Sequence, residues 1–175
     1  MDDGSNNIFT FNSAGADADG IYYDRAADAL YQLNRMNNSI NAYSNVNASI
    51  QQGVMPPLTA QSSAEFSNGR EITMINGNQL VVAQDGSAAN GDQNRLIVYT
   101  MENDGITFLT SYNVAINLWG IEGVGNQLWA IVDNSNMVAV FNDLIATEGT
   151  DATADMIVEV ENLERTHGLT YDSGL

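Results

Sequence analysis

The sequence of 175 residues contains no cysteine and no lysine, and it has only one histidine and two prolines. Without cysteine the chain can form neither disulfide bonds nor thiolate metal sites, and thiol catalysis is excluded. The single histidine, His167, cannot build a metal centre of several histidines. No run of 18 or more apolar residues is present, so the sequence predicts no membrane insertion.

Charge of one sign dominates the chain. Five arginines stand against 22 aspartates and glutamates, which gives a formal net charge of −17. Such a surface repels nucleic-acid phosphates and anionic membrane faces, so we expect neither as a partner. Two interpretations stay open: the acidity keeps the protein soluble, or it attracts cations such as calcium.

One tetrapeptide, Gly-Asn-Gln-Leu, occurs at residues 77–80 and again at residues 125–128. Each copy opens a pair of β-prone runs separated by a turn rich in Asn, Asp, Gly and Ser, which is typical of a β-hairpin. A further β-prone stretch precedes and follows each hairpin, although Pro56 and Pro57 weaken the stretch near Leu58. Four short strands in about 48 residues match the period of a β-propeller blade.

The sequence therefore predicts an all-β protein, a β-propeller of four-stranded antiparallel blades with a partial blade at each end. We interpret the chain as one propeller segment. A ring of blades must close to cover its end faces, so we expect either a longer protein or copies that assemble to complete the ring. Residues 1–19 are predicted as the last strand of a preceding blade with a linker, residues 20–69, 70–118 and 119–166 as three full blades, and residues 167–175 as the first strand of another.

Candidate ligand-binding residues stand where the first strand of each blade begins. In an antiparallel meander these positions meet the turns between second and third strands at one end, the mouth of the central channel. Convergent polar and aromatic groups in a concavity are the usual sign of a binding site. For the histidine and the tryptophan among them, structural hydrogen bonding and packing are the alternatives. The candidates are Asp19, Arg70, Glu71, Trp119, Arg165 and His167.

The turn at residues 85–94, Asp-Gly-Ser-Ala-Ala-Asn-Gly-Asp-Gln-Asn, is the richest in oxygen ligands. Calcium prefers six to eight oxygens from carboxylates and carbonyls, so Asp85, Asn90 and Asp92 are candidate ligands. An ordinary long turn is the alternative, since the EF-hand pattern is not met. The sequence carries no serine-hydrolase, P-loop or dinucleotide motif, and we predict no catalytic residue and no cofactor beyond possible calcium.

The third repeat, "GIEGVGNQLWAIVDNSNMVAVFND" followed by "ENLERTHGLTYD", resembles bacterial extracytoplasmic β-propellers of the NHL-like and surface-lipoprotein group. This resemblance implies a periplasmic, cell-surface or secreted protein, and such propellers host binding, scaffolding, lyase and lactonase activities alike. We expect a non-enzymatic binding or scaffold module for a protein or carbohydrate ligand. The alternative is part of a calcium-assisted lyase or lactonase-type hydrolase.

Overall fold

The computed structural model describes residues 18–86, 93–102, 105–147 and 149–161. These ranges fold mainly into β-strands that form three sheets, each built on a meander of four antiparallel strands, and one sheet gains a fifth, parallel strand at its edge. The predicted four-stranded antiparallel blade is therefore confirmed. The partial blades predicted at the two ends of the chain lie largely outside the described residues.

Blade 1 has the strand order β1–β2–β3–β4. Its strands are β1 (Ala18–Asp24), β2 (Ala29–Asn34), β3 (Ser39–Tyr43) and β4 (Leu58–Gln61). A seven-residue helix, α1 (Val46–Gln52), lies in the connection between β3 and β4. The stretch that the two prolines weakened does form a strand, because β4 begins just after Pro57 and lies at the edge of its sheet.

Blades 2 and 3 repeat the same order. Blade 2 contains β5 (Gly69–Ile75), β6 (Gln79–Gln84), β7 (Arg95–Glu102) and β8 (Gly105–Val114). Blade 3 contains β9 (Leu118–Val124), β10 (Gln127–Val132), β11 (Met137–Asn142) and β13 (Met156–Glu159). Between β11 and β13, a short 3-10 helix (Leu144–Ala146) precedes β12 (Asp151–Ala152), which pairs in parallel with β8 of blade 2.

The repeated Gly-Asn-Gln-Leu segments make the turn from the first strand to the second. Gly77 has φ +74° and Gly125 has φ +63°, a left-handed conformation that glycine adopts at little cost. Leu80 and Leu128, the last residues of the two copies, are fully buried. The tetrapeptide thus sets the register of the two hairpins.

Two apolar layers hold the blades together. Alternate residues of β6 point to opposite faces of the sheet, so Val82 packs toward blade 1 and Val81 toward blade 3. Fully burying one such aliphatic side chain contributes about 1.5–3 kcal/mol. The first layer includes Leu33, Ile40, Ile72, Leu80, Val82, Ile97 and Tyr99, and the second includes Val81, Leu96, Val98, Leu128, Ala130 and Phe141.

The first strands of neighbouring blades approach one another directly. A Cβ atom on Gly20 of β1 would lie 2.9 Å from the Cα of Glu71, and one on Gly123 of β9 would overlap the carbonyl oxygen of Met74. The backbone N–H of Gly123 donates a hydrogen bond to Thr73 Oγ1 (3.0 Å). Glycine at these two positions therefore permits the close contact of β1, β5 and β9.

Candidate functional site

The first strand of each blade breaks its pairing register at the mouth end, the end of the sheets at which β1, β5 and β9 begin. In blade 1 the shift lies between Ala18 and Ile21, and in blade 2 between Gly69 and Glu71. Blade 3 has the same irregularity where β9 pairs with residues 130–132. A β-bulge leaves a residue unpaired and changes the direction of its side chain. Each blade thus has an irregular position at the mouth, at residues 19–20, 70 and 119–120.

Arg70 occupies the irregular position of blade 2 and contacts two other parts of the mouth. Its Nη2 donates to Asp85 Oδ2 at 2.8 Å, and its guanidinium carbon lies 5.2 Å from the centroid of the Trp119 ring. The side chain of Arg70 is 30% exposed to solvent, and that of Asp85 is 17% exposed. A partly solvated ion pair contributes at most about 1 kcal/mol, and a cation–π contact adds about 0.5–1 kcal/mol. The cluster joins blades 2 and 3 and remains accessible from the mouth.

Two buried polar atoms at the mouth end have no hydrogen-bond partner among the described residues. They are Nε of Arg70, which is a donor, and Oδ1 of Asn117, which is an acceptor. Leaving a buried polar group unpaired costs about 1–3 kcal/mol.

The same contact between an asparagine and an aspartate occurs in blades 2 and 3. The asparagine directly precedes the first strand of the blade, and the aspartate directly follows the second strand. In blade 2 the backbone N–H of Asp85 donates to the carbonyl oxygen of Asn68 (3.1 Å), and Asn68 Nδ2 donates to the carbonyl oxygen of Asp85 (3.4 Å). In blade 3 the N–H of Asp133 donates to the carbonyl oxygen of Asn117 (2.9 Å), and Asn117 Nδ2 donates to Asp133 Oδ2 (3.0 Å). This contact holds the Asp85 carboxylate beside Arg70.

A polar groove opens between residues 64–67 and the mouth end of blade 2. Gln84, Arg95 and Asn113 lie directly opposite one another on β6, β7 and β8, so their side chains share one face of the sheet. Arg95 Nη1 donates to the carbonyl oxygen of Glu65 at 3.5 Å. The groove encloses about 460 Å³ and is lined by Ala64, Glu65, Phe66, Ser67, Gln84, Gln93, Arg95 and Asn113.

A second groove continues toward the outer edge of blade 2. It encloses about 530 Å³ and shares Gln93 and Asn113 with the first. The short strand β12 forms one side of it, because Asn113 Nδ2 donates to Asp151 Oδ1 (3.0 Å) and the Asn113 N–H donates to the carbonyl oxygen of Thr150 (2.7 Å). Together the grooves give the mouth end of blade 2 an extended polar surface.

Tyr99 lies on the same face of β7 as Arg95 and is fully buried. Burial raises the pKa of its hydroxyl to about 12, and the nearby charge of Glu65 acts in the same direction. The Glu65 backbone and the Ser62 side chain lie near enough to oppose part of this pKa rise, but neither makes a hydrogen bond of ordinary geometry with the hydroxyl. Tyr99 therefore stays neutral at physiological pH and is unsuited to act as a base.

Of the residues predicted from the sequence, the structure brings Arg70, Trp119 and Asp85 into one cluster. Glu71 follows Arg70 in β5 and is half-buried, close to β1. The backbone of Asp19 belongs to β1, and its side chain lies outside what the structure describes. Arg165 and His167 of the predicted mouth, and Asn90 and Asp92 of the predicted calcium turn, also lie outside the described residues.

Sequence reasoning missed the bulges, the Asn–Asp contacts and the Arg95 groove. The Asn–Asp contacts left a signal, because Asn68 and Asn117 precede the first strands and Asp85 and Asp133 follow the second strands at the blade period.

Among the described residues, no group of three or more His, Cys, Asp or Glu side chains is placed to hold a metal ion. The described part also contains no helix long and apolar enough to cross a membrane.

Comparison with known proteins supports the fold. The chain is similar to a Bacteroides fragilis protein provisionally assigned as a 6-phosphogluconolactonase, with a TM-score of 0.62, 14% identity, and 86% of this chain and 41% of that chain covered. It is similar to a chain of the nidogen/laminin complex, with a TM-score of 0.58, 14% identity, and coverage of 90% and 53%. The β-propeller domain of Myceliophteria thermophila Cps50 (Swd1) matches with a TM-score of 0.53, 9% identity, and coverage of 82% and 44%. The chain spans about half or less of the length of each.

These likenesses, with the three antiparallel meanders of four strands, show that the chain has a β-propeller fold. At such low identity they show the fold alone. No family model and no curated protein matches the sequence. Membership of the NHL-like and surface-lipoprotein group therefore stays a prediction.

Proposed function

We propose that the chain is a non-enzymatic β-propeller module that binds a protein or carbohydrate ligand at the mouth end. The supporting observation is the register break that recurs in all three first strands and directs Arg70 toward Trp119. An aromatic ring, a guanidinium and amide groups in one concavity suit a ligand with both apolar faces and polar edges. The Arg95 groove extends the same surface across blade 2.

A glycan and peptide array tests the proposal. We expect Trp119→Ala to lower binding of the selected ligand about tenfold or more, since an aromatic contact and the support of Arg70 are lost together. Trp129→Ala is the matched control, because Trp129 is also half-buried and lies one strand away in β10. Equal loss in both variants, or no ligand on either array, would contradict the proposed site.

The proposal includes an extracytoplasmic location and a larger assembly. This chain covers only 41–53% of the structures to which it is similar, so additional blades from a longer protein or from other copies would complete a ring. The acidic surface suits a partner that is neither nucleic acid nor an anionic membrane.

A lactonase-type hydrolase or calcium-assisted lyase is the second candidate. One similar structure carries a provisional 6-phosphogluconolactonase assignment, and this observation favours the lactonase version. Hydrolysis of gluconolactone, followed by proton release, would support it, whereas a rate equal to the uncatalysed one would count against it. A shift of melting temperature between calcium and EDTA would support the metal-assisted version, and identical melting curves would count against it.

A further inference from the structure

The interval from Met36 to Ala64 contains no Asp, Glu, Lys, Arg or His. It is the longest uncharged interval of a chain that carries a net charge of −17. The interval spans β3, α1 and β4 of blade 1. A partner that docked on residues 36–64 would therefore meet no charged side chain of the interval itself, and the Asp28 carboxylate lies at the start of α1, where it accepts the Asn47 N–H (2.9 Å).

Besides Met36 in the turn between β2 and β3, four exposed apolar side chains lie in this interval, around α1 and the start of β4. We call them the apolar edge, and they are Ile50 (37% exposed), Val54 (48%), Met55 (44%) and Leu58 (48%). The connection from β3 to β4 leaves the sheet at the end opposite to the mouth. The apolar edge is therefore separate from the proposed ligand site.

The backbone holds the apolar edge in place. The N–H of Val46 donates to the carbonyl oxygen of Asp28 (3.2 Å), and the N–H of Ser44 donates to that of Pro57 (3.2 Å). The helix ends at Gly53, where left-handed φ of +67° allows the Val54 N–H to reach the Ser49 carbonyl oxygen (3.0 Å). A surface ordered before binding loses less conformational entropy on association.

We propose that the apolar edge is a self-association surface, which docks on the same edge of a second copy of this chain. Among the described residues β4 pairs with β3 alone and is the last strand of its sheet, so the other side of its backbone can pair with a further strand. Two copies related by a twofold axis would bring β4 against β4 in antiparallel order and cover both apolar edges.

Charge favours a second copy over other partners. Contact between two copies elsewhere would bring carboxylates together, and like charges across an interface are costly. A basic partner would gain no ion pair from residues 36–64, since they hold no carboxylate. An uncharged surface on a strongly acidic protein thus fits an equally acidic partner that carries the same uncharged surface.

Light scattering after size exclusion tests the proposal on the full chain. We expect a concentration-dependent dimer whose fraction rises between about 50 mM and about 500 mM salt, because screening reduces the repulsion between two copies of −17 charge. Val54→Glu and Leu58→Glu each place two like charges in a twofold interface. Either should raise the dimer dissociation constant about tenfold or more.

Leu109→Glu is the matched control, because Leu109 is 44% exposed on β8 of blade 2. It should dimerise like the wild type, and all three variants should keep the wild-type melting temperature within a few degrees. A wild-type monomer at both salt concentrations overturns the proposal, as does unchanged dimerisation of Val54→Glu. Loss of the dimer in Leu109→Glu would also overturn it. Ligand binding by the monomeric variants reports separately on the proposed function.

Discussion

The two ends of the blades differ in how regular their first strands are. At the mouth end the first strands break register, and a partly exposed Arg70 contacts Trp119 and Asp85. At the opposite end, β5 and β9 are followed by tight turns at Gly77 and Gly125, and the backbones of β5 and β9 pack directly against each other. Irregular strands lower stability and often lie beside binding sites, whereas regular ends support the packing. The difference is the reason for proposing the ligand site at the mouth, and it predicts that the opposite end contributes more to stability.

The largest loss of stability is expected at the regular end. Gly123→Val would place side-chain atoms against the carbonyl of Met74, which belongs to the neighbouring first strand and cannot move alone. We expect unfolding to become easier by about 3 kcal/mol, the upper range for overpacking. Urea titration measures this change.

Gly77→Ala is the control at the same end of the blades. No atom lies within 4 Å of an added Cβ, so only the left-handed φ of +74° opposes the change. A cost of about 1 kcal/mol is expected. If Gly123→Val were as stable as Gly77→Ala, the first strands would not be in the close contact described.

A smaller loss is expected at the mouth. Arg70→Met removes an ion pair and a cation–π contact that are partly exposed, so it should cost about 1 kcal/mol in urea titration. Arg35→Met is the control, since Arg35 is exposed and Nη2 donates to Asn68 Oδ1 at 3.2 Å. A cost for Arg70→Met above about 3 kcal/mol would identify the cluster as a main support of the fold instead.

The smallest effect at neutral pH is expected for Tyr99→Phe, between the two ends. Its hydroxyl is buried and makes no hydrogen bond of ordinary geometry among the described residues, so removal should leave stability unchanged or raise it by up to about 1 kcal/mol. The folded pKa of about 12 lies above the ordinary value of 10, so the stabilising effect of the neutral hydroxyl is complete below pH 10 and is lost as the pH rises toward 12. Wild-type stability should therefore fall more steeply than that of Tyr99→Phe over this interval. Parallel pH profiles would contradict the burial of this hydroxyl.

The blades could be predicted from the sequence because their signal is periodic. Gly77 and Gly125 mark equivalent turns, and Leu80 and Leu128 begin equivalent buried runs. Helix α1 could not be predicted in this way. Its sequence, Val-Asn-Ala-Ser-Ile-Gln-Gln, has ordinary helix propensity, and contacts with Asp28 of a distant turn hold it.

The proximity of Arg70 and Trp119 could be predicted from the sequence, because they stand at equivalent starts of first strands and topology brings such positions together. Their role in binding stays a prediction. The contact of Asp85 with Arg70 could not be predicted, because the sequence makes Asp85 only a candidate calcium ligand or part of an ordinary long turn. The bulges leave no local sequence signal, since a register shift depends on hydrogen bonds between strands. The Arg95 groove depends on residues 64–67, whose path across blade 2 is set by tertiary packing.

The most direct test of ligand binding at the mouth is a map of amide chemical shifts during titration with the strongest ligand from the array. The account predicts that the perturbed signals cluster at residues 68–71, at the Trp119 indole N–H and along the Arg95 groove. Perturbations confined to the turns at residues 76–78 and 125–126, or to α1, would contradict it.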